Sequence, residues 1–447
     1  MPRSNNFDNS FKANGYGIET LKIFTNLAET DGPDQHVEVK NNVAEIKITE
    51  SIYRNHIEVE FTIADAVSLL ESYRISTGEK VEINLYRKDI ESKERKEFLL
   101  NLRIAEIKNL SRIQPSMVMM TFRCVSEFVY NNQFRTLVRP FEGAIGKNIK
   151  DICQSDLKID TKNLEIDEAG GLSTGIYPRM KPLNCIEWLG RNAFLEKTPY
   201  FFFETAKGKV KFEALSTMFG KEPYDTYRYD PFFLNDIGAE DDAVANYREE
   251  RLKIRSFSSD FNVSKLNAGA AGSFGSTMHT YDIATKTFDD QIFFNYKGDT
   301  KLNDNNPFSE KTKFLDKTFD QHTEGKNYFI SLNTEAYETD NYHQPTVPTL
   351  ASSQSVMYNL NSITLNLQLN GDFEFTIGNV IELDITRAGA EDKELATDGY
   401  LSGKYLVVST IHTFGEGGYS MNAKVKKDSF IESMEDIQKI SREEETV

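Results

Sequence analysis

The sequence predicts a mainly β protein in which an α+β insertion separates two related antiparallel β-barrel domains. Three observations predict this fold class: apolar residues alternate at period two in the first and last thirds of the chain, the middle changes to helical spacing, and strand-like segments of the first third recur in the last. At 447 residues the chain is long enough for several domains. Its 39% hydrophobic and 12% aromatic residues can fill their cores.

Residues 1–130 carry the first set of strand patterns. Apolar residues alternate with polar ones from Ile57 to Ile63 and from Val81 to Leu85. Long strand-like segments follow at Leu100–Ile107 and Met117–Val125. Alternation of this kind is typical of strands with one buried face, so these residues are predicted to form the first β-barrel tube domain.

The middle segment, residues 131–242, has a different pattern of apolar residues. Isoleucines recur at helical spacing from Ile145 to Ile152, and a second helix is predicted to begin at Pro182, because proline is favoured in a first helical turn. The sequence YFFFETAKGKVKFEAL predicts a hairpin with Gly208 in its turn. This segment is therefore predicted to be an inserted α+β domain.

The remaining residues are predicted to form a second domain in two parts. Residues 243–296 and 351–430 are assigned to the second β-barrel tube domain, whose cleanest alternation runs from Ile363 to Asn370. Residues 297–350 lack periodicity and are interpreted as an inserted lobe or extended loops. Residues 431–447 are interpreted as an acidic C-terminal tail.

An internal comparison indicates that the two β domains are copies of each other. GEKVEINLYR begins at Gly78 and GNVIELDITR begins at Gly378, an offset of 378 − 78 = 300. LRIAEIKNL then corresponds to YLVVSTIHTF, and MVMMTFRCVSEF to YSMNAKVKKDSF, in the same order. One alternating strand carries little information, but three in order predict a duplicated β domain with the mixed segment inserted between the copies.

Charge, cysteine count and hydropathy exclude several classes of protein. With 52 basic and 69 acidic residues the net charge is −17, which disfavours sequence-independent binding to DNA. Cys124, Cys153 and Cys185 form neither a disulfide framework nor a CxxC clip, which suggests synthesis in a reducing cytoplasm. The polar start and the lack of an 18-residue apolar run predict a soluble protein without a signal peptide.

A glycine-rich stretch, LNAGAAGSFGSTMHTYD at Leu266–Asp282, raises the question of a phosphate-binding loop. Gly269, Gly272 and Gly275 are spaced as GxxGxxG, and the next residue is Ser276 where a Walker loop needs lysine. The spacing also fails the GxGxxG dinucleotide fingerprint, and the flanks read as strands. The stretch is therefore predicted to be a sharply bent hairpin, in which glycine supplies positive φ.

Other candidate catalytic residues lack the required context. GLSTG at Gly171–Gly175 matches the GxSxG elbow around Ser173, but no buried strand precedes it and no helix follows. Cys185 lies beside Trp188 on a predicted helix and is interpreted as core. The histidines show no metal-binding spacing: His36, His56, His279, His322, His343 and His412. We therefore predict no catalytic, cofactor-binding or metal-binding residues and no enzymatic activity.

Several segments in order resemble the central baseplate hub protein of contractile-tailed bacteriophages, a family shared with the spike bases of type VI secretion systems. FEFTIGNVIELDI, DGYLSGKYLVVSTIHTF and GGYSMNAKVKKDSF resemble its closing barrel. FRTLVRPFEGAIGKNIKDIC resembles the entry into its inserted domain, and YREERLKIRSFSSDFNVSKLNAGAAGSFGSTMHTYDIATKTF a strand and glycine-loop passage. The resemblance extends from Ile18 to Phe430 and is weakest at residues 297–350.

The resemblance implies a structural component of the virion. Hubs of this family carry two related barrels per chain and form a homotrimer, whose six-fold-like ring joins the hexameric tail tube to the trimeric central spike. The implied partners are the spike, the tail tube ring and other baseplate proteins, with no membrane insertion and no cofactor. DNA would pass through the channel without specific binding. Acidic side chains lining the channel would keep DNA from adhering, or the charge would only keep the assembling protein soluble. Assembly would take place in the host cytoplasm.

Other functions stay open at the level of sequence. A related structural role is the spike base of a secretion system or injection particle. A tail-associated cell-wall hydrolase would need its enzymatic domain within residues 131–240. A carbohydrate-binding tail protein could stack sugars on the aromatic cluster YDTYRYDPFF at Tyr224–Phe233, although such clusters are more often core or interface.

Overall fold

The computed structural model describes most of the chain. The described residues are 14–25, 36–66, 68–88, 94–114, 117–167, 174–193, 195, 198–230, 243–261, 264–295, 301–305, 313–318, 321–322, 326–332, 346–387 and 397–431. They confirm a mainly β fold with an α+β insertion. The predicted acidic tail lies outside them, except for Ile431.

The first third of the chain is almost entirely strand. Its elements are β1 (Gly17–Phe24), β2 (His36–Glu38), β3 (Val43–Ser51), β4 (Glu58–Asp65), the short helix α1 (Leu69–Ser72), β5 (Lys80–Lys88), β6 (Arg95–Gln114) and β7 (Met117–Ser126).

The middle segment mixes short helices with short strands. Its elements are α2 (Glu127–Gln133), β8 (Pro140–Phe141), α3 (Ile145–Asp151), β9 (Leu164–Ile166), β10 (Gly175–Ile176), α4 (Pro182–Gly190), β11 (Tyr200–Glu204), β12 (Val210–Ala214), α5 (Leu215–Phe219) and β13 (Thr226–Tyr229). A π-helical turn, Ile152–Asp156, extends α3. The predicted helix start at Pro182 and the predicted hairpin are confirmed, with Gly208 at φ 71° in its turn.

The last part of the chain contains the longest remaining strands. Its elements are α6 (Ala243–Leu252), β14 (Ile254–Phe261), α7 (Lys265–Ala271), β15 (Gly275–Asp282), β16 (Thr287–Asn295), β17 (Lys313–Phe314), β18 (Lys317–Thr318), β19 (Asn327–Leu332), α8 (Thr346–Leu360), β20 (Ile363–Asn370), β21 (Val380–Ile385), β22 (Gly403–Gly415) and β23 (Gly418–Lys427).

One large sheet connects the first and last thirds. Its strand order is β14-β20-β23-β22-β3-β4-β7-β6-β5-β1-β2, with β21 also paired to β22 and β13 to β21. Smaller sheets are β11-β12-β9, β16-β15-β19, β8-β10 and β17-β18. The main path has two ends, so strand pairing within the described residues does not close either expected barrel.

Two five-stranded units within this sheet have the same topology. The first unit is β3-β4-β7-β6-β5 and the second unit is β14-β20-β23-β22-β21, with every neighbouring pair antiparallel. Corresponding strands occur in the same order along the chain. The three strands that match in sequence are joined by two that do not, β3 with β14 and β4 with β20. The duplication therefore involves five strands.

The units also share their irregularities. β3 shifts register between Val43 and Glu45, and β14 shifts between Ile254 and Ser256. A bulge adds one residue to a strand and increases its local twist. Bulges are usually retained among related structures. β6 shifts after Ile104 and β22 shifts after Val407, again at corresponding points.

The glycine turn before the third strand of the repeat is the same in both units. Gly78 has φ 91° and its N–H donates to the carbonyl oxygen of Ile104 at 2.7 Å. Gly378 has φ 75° and its N–H donates to the carbonyl oxygen of Val407 at 2.9 Å. Positive φ explains why glycine occupies both positions.

The third predicted sequence match is out of register by one residue. Arg103 of β6 lies opposite Val125, whereas Leu406, its counterpart in β22, lies opposite Lys426. Val125 therefore corresponds to Lys426, although the sequence alignment pairs it with Lys427. Because strand side chains alternate, the corrected register places the buried Met120, Phe122 and Cys124 on the buried Met421, Ala423 and Val425.

The predicted alternation is confirmed as burial. The first unit buries its strand faces in one core, and the second unit buries another that also receives α5 from the middle segment. The middle segment has a core of its own around α3, α4 and β12. Fully buried side chains from the predicted alternating runs include Val59, Phe61, Val81, Ile83, Leu365, Leu369, Tyr419 and Val425.

The glycine-rich stretch is not the expected hairpin. It begins as α7, whose N-terminal cap is the Ser264 side chain accepting from the Asn267 backbone N–H at 3.2 Å. Gly272 ends the helix in the left-handed conformation at φ 76°, and β15 begins at Gly275. A serine cap and a left-handed glycine are standard helix boundaries, so the glycine spacing marks a helix end. The helix precedes the strand, opposite to the order in a phosphate-binding loop.

Candidate functional site

The main candidate site is the joint at which the two units meet. The first half of β22 pairs with β21 of its own unit, from Gly403 to Leu406. The second half pairs antiparallel with β3 of the other unit, with Ser409 opposite Ser51 and Phe414 opposite Ile46. One strand therefore belongs to both units, which makes the joint a continuation of the sheet.

A buried carboxylate lies beneath this joint. Glu50 of β3 is fully buried and accepts hydrogen bonds from the Ala206 N–H at 2.6 Å and the Thr410 hydroxyl at 2.7 Å. The Ile377 N–H donates to the same carboxylate at 3.3 Å, and His412 Nε2 lies 3.5 Å away. These partners come from the second unit and from the β11–β12 turn, so Glu50, which belongs to the first unit, links three parts of the fold.

The hydrogen-bonded network continues through the second unit. His412 Nδ1 lies 2.8 Å from the Tyr419 hydroxyl, which donates to the Asp372 carbonyl oxygen at 3.0 Å. Arg251 of α6 donates to the Asp372 carboxylate at 2.7 Å. Arg87 of β5, in the first unit, donates to the Gly371 carbonyl oxygen at 2.7 Å. Both units therefore contribute charged side chains to one network.

A second buried carboxylate lies between the first unit and the middle segment. Glu204 accepts hydrogen bonds from the Ile57 N–H at 3.0 Å and from the Ser126 hydroxyl. Burial in a poorly polar environment raises the pKa of Glu204 to about 7. Buried charges of this kind are costly unless they are paired, so removing one partner destabilises the fold.

The network is suited to holding the units together. Glu50, His412 and Tyr419 are fully buried, and each is bonded to another group of the network. Substrate has no access to a group without exposed surface. The chemical role of the network is to fix the angle between the two units and the middle segment.

Two strand edges that pair with no strand among the described residues form a second candidate site. The second half of β6 extends past β5, and Leu110 and Ile113 are 64% and 54% exposed there. At the end of β14, Phe261 is 46% exposed. Large exposed apolar residues on a strand edge mark a surface suited to protein contact.

The cysteines, serine and histidines considered in the sequence are predicted to form no site. Cys124, Cys153 and Cys185 are buried, and burial raises the pKa of the Cys185 thiol to about 11, as expected for structural thiols. Ser173 and His343 lie outside the described residues. Among those that are described, no group of three His, Cys, Asp or Glu side chains is placed to hold a metal ion.

The aromatic cluster is mostly core. Tyr227 is fully buried, and the Tyr224 hydroxyl donates to the Asp372 carboxylate at 2.9 Å. The Tyr229 ring packs edge-on against Phe257 of β14, with ring centroids 4.9 Å apart. These rings join β13 to the second unit, and the rest of the cluster lies outside the described residues.

Sequence reasoning missed the joint and its network. Glu50, His412 and Asp372 are far apart in sequence, and no local pattern indicates that a polar side chain on a strand faces inward. One signal was present: Glu50 falls at an inward position of an alternating strand, where an apolar residue is expected.

No helix in the described part of the chain is long and apolar enough to cross a membrane.

Comparisons with known proteins bear on the fold. No protein-family model matches the sequence, and no curated protein is significantly similar to it. A tail protein from Neisseria meningitidis superposes with a TM-score of 0.53 at 10% identity, covering 93% of this chain and 97% of that one. A 43 kDa tail protein of prophage MuSo2 from Shewanella oneidensis gives 0.52 at 10% identity, covering 93% and 100%. This chain therefore shares its fold with these two tail proteins.

Proposed function

We propose that this chain is the structural hub of a phage tail baseplate. In this role a homotrimer forms a ring, which joins the hexameric tail tube to the trimeric central spike and leaves a channel for DNA. Other baseplate proteins surround it in the virion, after assembly in the host cytoplasm. The function is carried by interfaces between proteins and does not require a catalytic site.

The repeated five-stranded unit carries this proposal. A tail tube of six-fold symmetry and a spike of three-fold symmetry have a mismatch at their junction. A chain with two units of the same topology resolves it, because three chains then present six similar units on one side and three identical chains on the other. The shared fold with two phage tail proteins supports the same role.

The solution mass of the purified chain tests the proposal. Light scattering is expected to give three times the chain mass of 51.0 kDa for the chain alone, or the mass of three chains plus that of the spike for a complex with its spike protein. Negatively stained particles are expected to show a ring with six similar lobes. A stable monomer both with and without the spike would overturn the proposal.

The alternative functions have less support in the structure. A sugar would have to stack on tyrosines such as Tyr224 and Tyr227. The Tyr224 hydroxyl is hydrogen-bonded to Asp372, and Tyr227 is buried in the second core. A hydrolase would clear peptidoglycan in a zymogram, and the proposed role expects no clearing. Clearing that is lost with mutation of the middle segment would favour the hydrolase instead.

A further inference from the structure

β6 and β22 occupy corresponding positions, but they use their edges differently. The second half of β22, Ser409–Phe414, has β23 on one side and β3 on the other. The second half of β6, Glu106–Gln114, pairs with β7 on one side. Within the described residues no strand pairs with its other edge, so the counterpart of the β22–β3 joint is missing from β6.

β14, the strand corresponding to β3, also pairs with no strand on one edge along Ser256–Phe261, as far as the described residues extend. β14 pairs with β20 along Ser256–Phe261. On the opposite side, the described part of the chain offers only an isolated bridge between Arg228 and Lys253, just before β14 begins. Each chain therefore has one open edge of the β22 type and one open edge of the β3 type.

We propose that the second half of β6 in one chain pairs antiparallel with β14 of a second copy of this chain. The joint between chains would repeat the β22–β3 joint within a chain. Open strand edges carry unpaired N–H and C=O groups that favour pairing with another strand. The proposed partner has the correct geometry, because β14 corresponds to the strand that β22 already binds.

The shared bulges fix the register of this joint. Within the chain, Ile411 lies opposite Thr49. Ile411 is the third residue after the β22 bulge, and the third after the β6 bulge is Lys108. Thr49 lies four residues past Glu45 at the β3 bulge, and Asp260 lies four past Ser256 at the β14 bulge. Lys108 is therefore placed opposite Asp260 of the second copy.

The neighbouring pair in this register is apolar. It places Ile107 opposite Phe261, just as Thr410 lies opposite Glu50 within the chain. Phe261 is 46% exposed in the single chain and would be covered by the joint. An opposite-charge pair beside an apolar pair is the kind of cross-strand match that stabilises and selects a register.

The proposed joint leads to a closed assembly. It is heterologous, because it joins two different edges, and such joints close into rings when the rotation between subunits allows it. Each ring then contains two units per chain, joined alternately within chains and between them. That the ring contains three chains rests on the proposed function, whereas the edge pairing rests on the described strands.

Disulfide cross-linking tests the register directly. Residues opposite each other on antiparallel strands have Cα atoms about 4.5–5.5 Å apart, within the range of a disulfide. A mixture of Ile107→Cys chains and Phe261→Cys chains is expected to give covalent dimers under mild oxidation, and neither variant alone should give them. The native thiols are buried and should not compete.

A matched control uses a residue out of register. Ser258→Cys lies on the same strand as Phe261→Cys and is expected not to cross-link to Ile107→Cys. Cross-linking of Ser258→Cys as efficiently as Phe261→Cys would overturn the proposed register. Within the chain, Thr49→Cys combined with Ile411→Cys at the known joint is a positive control. Its disulfide is expected to change the electrophoretic mobility of the chain without changing its mass.

A second measurement avoids mutation altogether. Carbodiimide joins a lysine amine to a carboxylate in contact with it, and in isotope-labelled mixtures the link between Lys108 and Asp260 is expected between chains. The contact of Lys108 with Glu60 provides an internal reference within the chain. A trimer that gives this reference link without the Lys108–Asp260 link would overturn the proposed joint.

The outcomes separate this inference from the proposed function. A chain carrying both Ile107→Cys and Phe261→Cys is expected to give a covalent ladder that ends at three chains. A ladder that ends at another number would support the edge joint and contradict the trimeric hub. A trimer without the in-register link would support the hub and contradict the joint. A monomer under all conditions would contradict both.

Discussion

Glu50 and His412 face each other across the joint between the two units, with Glu50 Oε1 3.5 Å from His412 Nε2 and both side chains fully buried. Glu50 lies on β3 and His412 on β22, so the contact connects the first and last thirds of the chain. Several other polar groups converge on the same place. The joint is therefore held by a polar network as well as by its strand hydrogen bonds.

Replacing Glu50 by alanine is expected to destabilise the fold. The change leaves the Ala206 and Ile377 N–H groups without an acceptor and the Thr410 hydroxyl with only His412 Nε2 at 3.3 Å, and each unsatisfied buried donor costs about 1–3 kcal/mol. Urea unfolding should show a loss of about 3 kcal/mol or more. Glu45→Ala on the same strand, whose side chain is 40% exposed, is the control and should change stability little.

The raised pKa of Glu204 predicts a pH-dependent stability. Since its folded pKa of about 7 is above the ordinary value of a glutamate, the folded state retains a proton that the unfolded state has lost. Stability is therefore expected to fall, by a few kcal/mol in total, as pH rises from 4.5 to 7. Glu204→Gln mimics the protonated acid and should flatten this part of the curve.

The measurement compares urea midpoints of the two proteins between pH 4.5 and 8. The difference between wild type and Glu204→Gln should grow with pH in favour of the variant. Glu45→Gln, at an exposed position, should follow the wild-type curve. Parallel curves for wild type and Glu204→Gln would contradict the assigned pKa.

Close packing at Gly371 predicts that alanine is not tolerated there. A Cβ at this position would lie 2.1 Å from Tyr419 Cγ, and the ring is held by its hydroxyl bonds to His412 and to Asp372. Relief of this overlap is expected to cost about 1–3 kcal/mol, as for other overpacked cores. Thermal unfolding of Gly371→Ala should show the loss, whereas Gly417→Ala, with nothing within 4 Å of its Cβ, should not.

Replacing Gly269, inside α7, and Gly272, just after its end, by alanine is predicted to change stability in opposite directions. Gly272→Ala places a Cβ on a left-handed residue at φ 76° and 2.9 Å from Lys326 Cβ, which is expected to cost about 1–2 kcal/mol. Gly269 lies inside the helix with open space around its Cβ, so Gly269→Ala should stabilise by up to about 1 kcal/mol. Equal effects in chemical denaturation would contradict the helix boundary.

Local features of the fold could be predicted from the sequence, and long-range pairing could not. Alternation identified β4, β5, β20 and β23, because burial of one strand face appears directly in residue order. The equivalence of β3 with β14 was not detectable, because β3 alternates buried and partly buried residues whereas β14 is exposed along most of its length, so their side chains differ. Ser264 and Gly272 did carry helix boundary signals, but the strand pattern around them led to the wrong prediction of a hairpin.

The candidate site was beyond prediction for a related reason. The pairing of β22 with β3 joins residues separated by most of the chain, and backbone hydrogen bonds leave no mark on side-chain identity. The Glu50 carboxylate is informative only once its partners from the second unit and from the β11–β12 turn are known. The duplication was predictable because three of its strands kept their order and their glycine turn.

The division of β22 between the two units has a consequence for synthesis of the chain. β3 is made early, yet the strand that covers its edge is Ser409–Phe414, which leaves the ribosome only after the middle segment and most of the second unit. Until then β3 exposes an open edge in a nascent chain, a state prone to pairing with other nascent chains. The charged residues Glu45 and Lys47, which alternate with the buried face of β3, act as gatekeepers during that interval.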